Sequence, residues 1–338
     1  MPSLHAFQRR DVLDRSVDTR SHRRGLRRFV LPLSITLAVA AIGSVASPRA
    51  ALAAEPLEPL GAVELVRGGF EFTEGPAYDS SSGVLYFSDI PANKIYAFDS
   101  DGEFSVFSDD SGHTNGIVYS PTGKFAGKLV ACQMDGRVVI YDPTSGQVDV
   151  LADTYEAKRF NAPNDLVVDA HGGIYFTDPL FRAPDPLPQG FQAVYYRAAD
   201  GTVSRLTGPL AAPNGVALSP DGQRLYLIPS RQAEMLVYDI NGPGMLGEAE
   251  VFCRLVQPEG QTDTGGDGMV VDEQGNLYIT SNLGVQIFSP AGEYRGLIEV
   301  AEQPANVTFG GPDLKTLYIT ARTGLYRVAM PIAGLPPN

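Results

Sequence analysis

The sequence contains no tryptophan, only two cysteines and only four histidines among its 338 residues. The absence of tryptophan removes the signature residue of WD repeats, and two cysteines are too few for a disulfide-rich scaffold. Because Cys132 and Cys253 fall in different repeats and on predicted strands, we expect separate buried thiols. Two histidines precede residue 54, and the remaining pair, His113 and His171, excludes a zinc site of three histidines.

The first 53 residues have the composition of an export signal. Arginines precede an apolar run from Phe29 to Ala46, and Ala51-Leu52-Ala53 has the small-x-small form of a cleavage site. The pair Arg27-Arg28 favours the twin-arginine route, with a general secretory signal or an uncleaved anchor as alternatives. We therefore predict a bacterial periplasmic or secreted protein in which 1–53 is the export signal and 54–338 is a single domain.

The chain after the signal is strongly acidic. Residues 1–53 hold nine Arg and three Asp, so the remainder carries 17 basic and 36 acidic residues and a net charge of −19. This charge disfavours nucleic acid and anionic lipid as partners, and no membrane contact is expected after signal cleavage. It agrees with a bound cation, although an acidic surface that serves only solubility is the default explanation. Nothing in the sequence indicates an oligomeric state.

A hairpin pattern recurs six times after the signal. Each copy begins with an oxygen-bearing side chain, continues with alternating apolar residues and a polar turn, and in most copies returns as apolar-Tyr-apolar-hydroxyl. The six marked positions, spaced 39 to 53 residues apart, are Glu74, Asn115, Asn164, Asn214, Asp267 and Asn306. Repeats of this length that contain only strands and turns are typical of β-propeller blades with four strands.

The sixth repeat lacks a fourth strand of its own. After Val328 the chain is interrupted by Pro331 and Pro336-Pro337, and proline cannot donate to a strand ladder. An unpaired apolar segment, Ala62 to Val66, precedes the first copy. We predict that this segment supplies the outer strand of the sixth blade and closes the ring without a free edge. The predicted fold class is all-β, a six-bladed β-propeller.

The marked positions should converge on the propeller axis, because the innermost strand of each blade lines the central channel. Two carboxylates and four carboxamides form a set of oxygen donors that suits Ca²⁺ better than zinc or copper. Without a cation, Glu74 and Asp267 would repel each other and have raised pKa values. Asn-Gly and Asp-Gly are also common turn dipeptides, but separate turns follow at 120–123, 219–222 and 272–275, which favours a functional role for the donors.

Four motifs resemble the SMP-30/gluconolactonase/LRE-like family and occur in its order. The motifs begin at Glu74-Gly75-Pro76, Ala162-Pro163-Asn164-Asp165, Pro213-Asn214-Gly215 and Asp267-Gly268-Met269. The resemblance implies a propeller with one catalytic divalent cation, usually Ca²⁺, that hydrolyses lactones of sugar acids. The cation ligands that it implies are Glu74, Asn164, Asn214 and Asp267, and Asn164 contacts the substrate in some members.

Such a site implies water attack on a lactone carbonyl polarised by the cation, with Asp267 as both ligand and catalytic base. Topology places the ends of the second strands near the same face, at Asp89, Gln133, Asp178, Ser230, Asn282 and Arg322. The residues predicted to contact the substrate are Asn115, Asn164, His113, Asp178 and Arg322. We expect Asp165 to point away from Asn164, because neighbours on a strand face opposite sides. His171 should be exposed in a hairpin turn.

Two other functions fit the same residues. A propeller that binds a partner would use Ca²⁺ only to stabilise its fold, and an esterase or phosphotriesterase would combine the same metal site with a more apolar mouth. The loops that would build this mouth, Tyr155 to Pro163 and Leu180 to Phe191, have no shape that can be derived from the repeat. Neither the particular lactone nor the metal in the cell can be identified from the sequence.

Overall fold

The structure is a computed structural model that describes residues 55–336, so the predicted export signal lies outside the described residues. Regular structure in this part is almost entirely β-strand, and 26 strands form six four-stranded antiparallel sheets and one short hairpin. The helical structure found in the described range is one 3-10 turn at Gly123–Phe125. Within the same range no helix is long and apolar enough to cross a membrane.

The first strand, β1 (Glu64–Gly68), belongs to the last blade, and blades 1 to 3 follow it in chain order. Blade 1 contains β2 (Thr73–Asp79), β3 (Val84–Asp89), β4 (Lys94–Phe98) and β5 (Phe104–Ser108). Blade 2 contains β6 (Thr114–Ser120), β7 (Lys128–Gln133), β8 (Arg137–Tyr141) and β9 (Val148–Ala152). A short hairpin consists of β10 (Thr154–Tyr155) and β11 (Lys158–Arg159). Blade 3 contains β12 (Leu166–Val168), β13 (Ile174–Asp178), β14 (Ala193–Arg197) and β15 (Val203–Arg205).

Blades 4 and 5 repeat this arrangement, with strands hydrogen-bonded in sequence order from the channel outward, and blade 6 differs only in its outer strand. Blade 4 contains β16 (Pro213–Leu218), β17 (Arg224–Pro229), β18 (Glu234–Gly242) and β19 (Met245–Arg254). Blade 5 contains β20 (Met269–Val271), β21 (Leu277–Ser281), β22 (Gly284–Phe288) and β23 (Tyr294–Ile298). Blade 6 contains β24 (Pro304–Gly310), β25 (Thr316–Ala321), β26 (Gly324–Ala329) and, as its outer strand, β1.

The closing strand of blade 6 is the one that the sequence predicts. Strand β1 pairs antiparallel with β26, from Glu64 opposite Arg327 to Gly68 opposite Gly324. Its bounds are shifted by two residues from the predicted Ala62 to Val66. Glu64 and Arg327 also form an ion pair, with 3.1 Å between Oε2 and Nε. The prediction that an N-terminal segment closes the ring is therefore confirmed.

The apolar core is divided among the contacts between neighbouring blades. Ile287 of blade 5 belongs to the same cluster as Leu317 of blade 6, and Leu85 of blade 1 shares a cluster with Leu325 of blade 6. Each of the other four neighbouring pairs also shares a buried cluster. Because every blade buries both faces against its neighbours, the six sheets form a closed ring. The predicted six-bladed β-propeller is confirmed.

Two minor predictions are also confirmed. Cys132 on β7 and Cys253 on β19 are buried free thiols, and burial raises the pKa of Cys253 to about 12. They pack as small apolar side chains. His171 is exposed in the turn between β12 and β13.

Candidate functional site

The six marked side chains lie where the inner strands of neighbouring blades come closest. The N–H of Gly116 donates to the carbonyl of Asn164, and the N–H of Gly215 donates to the carbonyl of Asp267, both at 2.8 Å. Five of the six side chains are buried, and Asp267 is partly buried. We call this set the donor layer, and it consists of Glu74, Asn115, Asn164, Asn214, Asp267 and Asn306.

In four repeats the donor is followed by glycine, and the reason is steric. A Cβ atom on Gly215 would lie 2.6 Å from the carbonyl oxygen of Asp267, and one on Gly116 would lie 2.8 Å from the carbonyl oxygen of Asn164. Both distances are shorter than real Cβ contacts, so a side chain at either position would force the blades apart. The donor-Gly dipeptides therefore serve blade packing around the axis, which turn chemistry alone does not explain.

The hydroxyl residue that ends the repeat motif holds the donor layer in place. Thr280 Oγ1 accepts the N–H of Gly268 at 2.9 Å and donates to the carbonyl of Ala305 in the next blade at 2.9 Å. Ser88 Oγ similarly donates to the carbonyl of Asn115 in the next blade at 2.9 Å. The Ser or Thr of the motif thus links the backbones that carry the donors.

Each carboxylate of the donor layer is bonded to a carboxamide from a neighbouring blade. Asn214 Nδ2 donates to Asp267 Oδ1 at 2.5 Å and to Ser230 Oγ at 3.0 Å. Asn306 Nδ2 donates to Glu74 Oε2 at 3.0 Å. In each carboxylate, the amide therefore orients one oxygen and does not bond to the other.

The other two carboxamides of the layer have a different environment. The side chains of Asn115 and Asn164 are buried, and no hydrogen bond joins either of them to another residue within 55–336. Buried polar side chains normally have a hydrogen-bond partner. Their amide oxygens are therefore available to a ligand in the channel.

Burial and mutual repulsion raise the pKa values of the axial carboxylates. Desolvation raises the pKa of Glu74 well above its ordinary value, and the charge of Asp267 raises it further. Desolvation also raises the pKa of Asp267 to about 6, although the bond from Asn214 and the charge of Arg322 oppose the shift. The site therefore disfavours two bare negative charges, and a cation between them would favour both ionised forms.

The chemistry of the donor layer fits a hard cation. No cluster of three or more Asp, Glu, His or Cys side chains in the described range could hold a metal by itself. The layer instead combines two carboxylates with carboxamide oxygens, and Ca²⁺ accepts both kinds of ligand. Two of those amide oxygens have no partner in the described residues, and the two carboxylates repel each other. These observations agree with the cation site that the sequence predicts.

A cavity of about 320 Å³ opens above the donor layer, with Asn214 and Asp267 at its floor. Its walls come from loops of blades 4, 5 and 6, with one side chain from blade 3. The principal wall residues are Phe181, Ser230, Arg231, Thr264, Asn282 and Gln303. Ser230 and Asn282 lie at the strand ends predicted for this face. The other four lie in loops outside the repeat motif, and only their closeness in sequence to predicted strand ends could have indicated them.

Arg322 lies at the rim of this region. Its guanidinium lies 5.2 Å from the ring centroid of Phe72 and donates a hydrogen bond to Gln303 Oε1. Its backbone has a φ of 44°, the left-handed conformation that non-glycine residues rarely adopt. Since its charge lowers the pKa of Asp267, the guanidinium acts on the donor layer electrostatically.

His113 and Asp178 do not line the cavity above Asp267. His113 is partly exposed, and its Nδ1 lies 3.0 Å from Asp135 Oδ1. The carboxylate of Asp178 accepts the backbone N–H groups of Asn161 and Ala162, both at 2.8 Å. Burial raises the pKa of Asp178 to about 7. These bonds fix the loop that leads into Asn164, so the observed contacts of Asp178 are with the backbone.

Asp165 lies on the other side of the donor layer. It precedes β12 and lines a second cavity, of about 500 Å³, that follows the channel in the opposite direction. As expected, its carboxylate does not line the cavity above Asp267. Apolar strand residues such as Val118, Val167 and Val270 form much of the wall of this lower cavity.

Comparisons with known proteins agree with this geometry. A model of the SMP-30/Gluconolactonase/LRE-like region matches residues 72–323. A gluconolactonase from Zymomonas mobilis is 32% identical over 289 residues, which cover 79% of this chain and 80% of the relative. A structure described as a putative gluconolactonase has a TM-score of 0.75 at 28% identity and covers 84% of this chain and 99% of its own.

Two further structures extend the comparison. A gluconolactonase from Xanthomonas campestris has a TM-score of 0.72 at 28% identity, and the match covers 82% of this chain and 96% of that chain. A regucalcin from Agrobacterium tumefaciens, described as a calcium-binding protein, has a TM-score of 0.68 at 19% identity. That match covers 83% of this chain and 96% of the regucalcin, and it shows a shared fold.

Proposed function

The chain belongs to the SMP-30/gluconolactonase/LRE-like family, and on this basis we propose that it is a lactonase that hydrolyses the cyclic ester of a sugar acid. The observation that carries the proposal is the donor layer at the floor of a polar cavity. There, Asp267 is held by Asn214 directly beneath the space that a substrate would enter. The gluconolactonases that resemble this chain support the same reaction class.

The proposed cofactor is Ca²⁺ or another divalent cation. Its proposed ligands are the side-chain oxygens of Glu74, Asn164, Asn214 and Asp267. When bound, the cation supplies positive charge that polarises the lactone carbonyl and stabilises the negative charge that develops on its oxygen. The calcium-binding regucalcin with the same fold agrees with this choice.

Asp267 is the proposed base. Its Oδ1 accepts the hydrogen bond from Asn214, and no residue in the described part of the chain donates to its Oδ2. This second oxygen is available to take the proton of the attacking water. Burial raises the pKa of Asp267 above its ordinary value, which makes the group more basic, and a bound cation would favour the ionised form that can accept a proton.

The walls of the cavity suit a substrate rich in hydroxyl groups. A volume of about 320 Å³ lies at the lower end of the range for small-molecule sites, which is roughly 300–1,000 Å³. Ser230, Asn282 and Gln303 supply donors and acceptors along the walls. We also propose substrate contacts for Asn115, Asn164 and Arg322. His113 and Asp178, which lie outside the wall, would require movement or a larger substrate to reach it.

We propose that the protein is exported, because its first residues combine arginines, an apolar run and a small-x-small site. The intact mass of the protein recovered from the bacterial periplasm or medium tests this. A mature chain that begins near residue 54 is expected, and a cytoplasmic protein of full length would contradict export.

The experiment that tests the activity is hydrolysis of D-glucono-1,5-lactone by residues 54–338, followed as acid release. We expect turnover to disappear after treatment with a chelator and to return when Ca²⁺ is added. Thermal unfolding in the same samples should show a rise in Tm with Ca²⁺. Absence of turnover in all samples, with the rise in Tm retained, would instead indicate a binding propeller stabilised by calcium or an esterase for other substrates.

A further inference from the structure

Asp165 occupies a position that is glycine in four of the six repeats. It directly follows the donor Asn164, as Gly75, Gly116, Gly215 and Gly268 follow their donors. The close approach of the blades excludes a Cβ at those glycines, yet blade 3 carries a carboxylate at the same place. The room for it comes from Gly116 in blade 2, where an added Cβ would lie 2.5 Å from Asp165 Oδ1.

The hydrogen bonds of Asp165 join blades 3 and 4 just below the donor layer. Its Oδ1 accepts the N–H of Leu166 at 2.9 Å, and its Oδ2 accepts the N–H of Val216 in blade 4 at 3.3 Å. Its own N–H donates to Thr177 Oγ1 at 3.1 Å. The carboxylate of Asp165 thus links β12, which follows Asn164, to β16, which carries Asn214.

Asp165 also adds a third negative charge to the axis. Asp165 and Glu74 are both buried, and Asp165 directly follows the donor Asn164. Among the described residues, no Lys, Arg or His forms an ion pair with Glu74, Asp165 or Asp267. A buried charge without an ion-pair partner is unfavourable, and a cation in the donor layer would supply positive charge near all three.

We propose that Asp165 is a positioning residue that strengthens cation binding from beneath the donor layer without being a ligand. This inference rests on the proposed function, because it concerns the same cation. Asp165 holds the strands that carry Asn164 and Asn214 and adds its charge to those of Glu74 and Asp267. Its oxygens are bonded to backbone N–H groups on the lower side of the layer, which separates it from the proposed ligands.

The test measures Ca²⁺ binding by titration calorimetry and Tm for the wild type, Asp165→Asn and Asp165→Gly. Asn keeps an oxygen acceptor without the charge, and Gly restores the residue found in four other repeats. We expect both variants to bind Ca²⁺ about 10- to 100-fold more weakly, as for other residues that support metal ligands. Without metal, Asp165→Asn removes one repelling charge but leaves one of the two backbone N–H groups without its acceptor, so Ca²⁺ affinity and not Tm is the deciding measurement.

Asp169→Asn is the matched control. The Asp169 carboxylate is also buried, and it accepts the N–H groups of His171 and Gly173 at 2.8 Å and the hydroxyl of Tyr196 at 2.8 Å. These bonds stabilise a turn away from the donor layer. Asp169→Asn should therefore lower Tm and leave the affinity for Ca²⁺ unchanged.

Three results separate this inference from the proposed function. Unchanged Ca²⁺ affinity in Asp165→Asn, with a lower Tm in Asp165→Gly, would overturn the inference and reduce Asp165 to a structural link. Failure of the wild type to bind Ca²⁺ would overturn the inference together with the proposed cofactor. If both variants bind Ca²⁺ more weakly than the wild type, and the wild type does not hydrolyse lactones, the inference is supported and the proposed function is contradicted.

Discussion

The two cavities of the channel lie on opposite sides of the donor layer and differ in character. Above the donor layer, loop residues such as Ser230, Asn282 and Gln303 give a polar wall. Below it, strand residues such as Val118 and Val270 give a largely apolar wall. The regular alternation of side chains along the strands determines which residues line the lower cavity, whereas loops at the strand ends supply most of the residues that line the upper one. The polar groups that could contact a substrate therefore lie where the regular strands end.

The transition between the two regions coincides with bulges. Strand pairing shifts register between Glu74 and Ala77 in blade 1, between Thr114 and Ile117 in blade 2 and between Pro213 and Val216 in blade 4. A bulge redirects a side chain and locally releases its strand from the ladder. The donors of these blades lie within or beside the shifts, so their side chains turn toward the axis while the rest of each strand stays paired.

Asp267→Asn is the strongest test of the difference between the two cavities, because it removes one charge from the floor of the upper cavity. We expect kcat for D-glucono-1,5-lactone to fall about 10²- to 10⁴-fold, the usual contribution of a general base. Fold and Tm without metal should be retained, since Asn keeps the shape of the side chain and can still bond to Asn214. Asp272→Asn, a buried carboxylate in a turn of blade 5, serves as control. Equal turnover in wild type and Asp267→Asn would remove Asp267 from the mechanism.

The axial carboxylates should make stability depend on pH and on metal. Asp267, with a pKa of about 6, and Asp165, with a pKa of about 7, are both raised from 3.8 by burial. A raised pKa means that folding favours the protonated form, so this contribution is complete below about pH 4 and is lost as the pH rises through 6 to 7. Without metal, we expect Tm to fall on the order of 5 °C between pH 5 and pH 8.

Added Ca²⁺ should reduce that fall, because a nearby cation favours the ionised carboxylates. Asp178, whose pKa is also about 7, lies outside the donor layer and provides a part of the slope that Ca²⁺ does not change. Thermal unfolding scans at several pH values, with chelator or with Ca²⁺, measure both parts. The same slope in both series would contradict a cation at the axis.

Val167→Thr tests the lower region and should have the smallest effect. The side chain lines the lower cavity and is partly buried, so a hydroxyl there makes the wall more polar while nearly preserving its shape. We expect kcat and KM to stay within about twofold of the wild type, as for most substitutions away from a site. Steady-state kinetics would reveal a larger change, which would mean that the lower cavity takes part in the reaction.

Most of the fold could be predicted because its signals are local. Strands β4 (Lys94–Phe98) and β8 (Arg137–Tyr141) coincide with short apolar runs that are bounded by turns in the sequence. Blade 4 is the exception, since β18 continues to Gly242 although the apolar pattern ends at Tyr238. Its partner β19 supplies backbone bonds over that extension. Pairing can therefore extend a strand beyond the residues whose pattern predicts it.

The site could be predicted only in part, because its bonds join distant repeats. Equivalence of the repeats places six donors at one level, but it does not show that Asn214 bonds to Asp267 or that Asn306 bonds to Glu74. The wall residues Arg231 and Thr264 lie in loops without repeat equivalents. The roles of the proposed ligands, the base and the substrate contacts stay predictions until the variants above are measured.

The closing strand also has a consequence for how the molecule is made. Glu64 on β1 and Arg327 on β26 are 263 residues apart in sequence, yet they are neighbours in one sheet. A growing chain on the ribosome releases β1 early, and its partner emerges only with the last blade. Ring closure must therefore wait until blade 6 has been synthesised, and contacts of such long range make folding slow. A chain truncated before blade 6 would leave β1 without its partner and the outer faces of two blades uncovered.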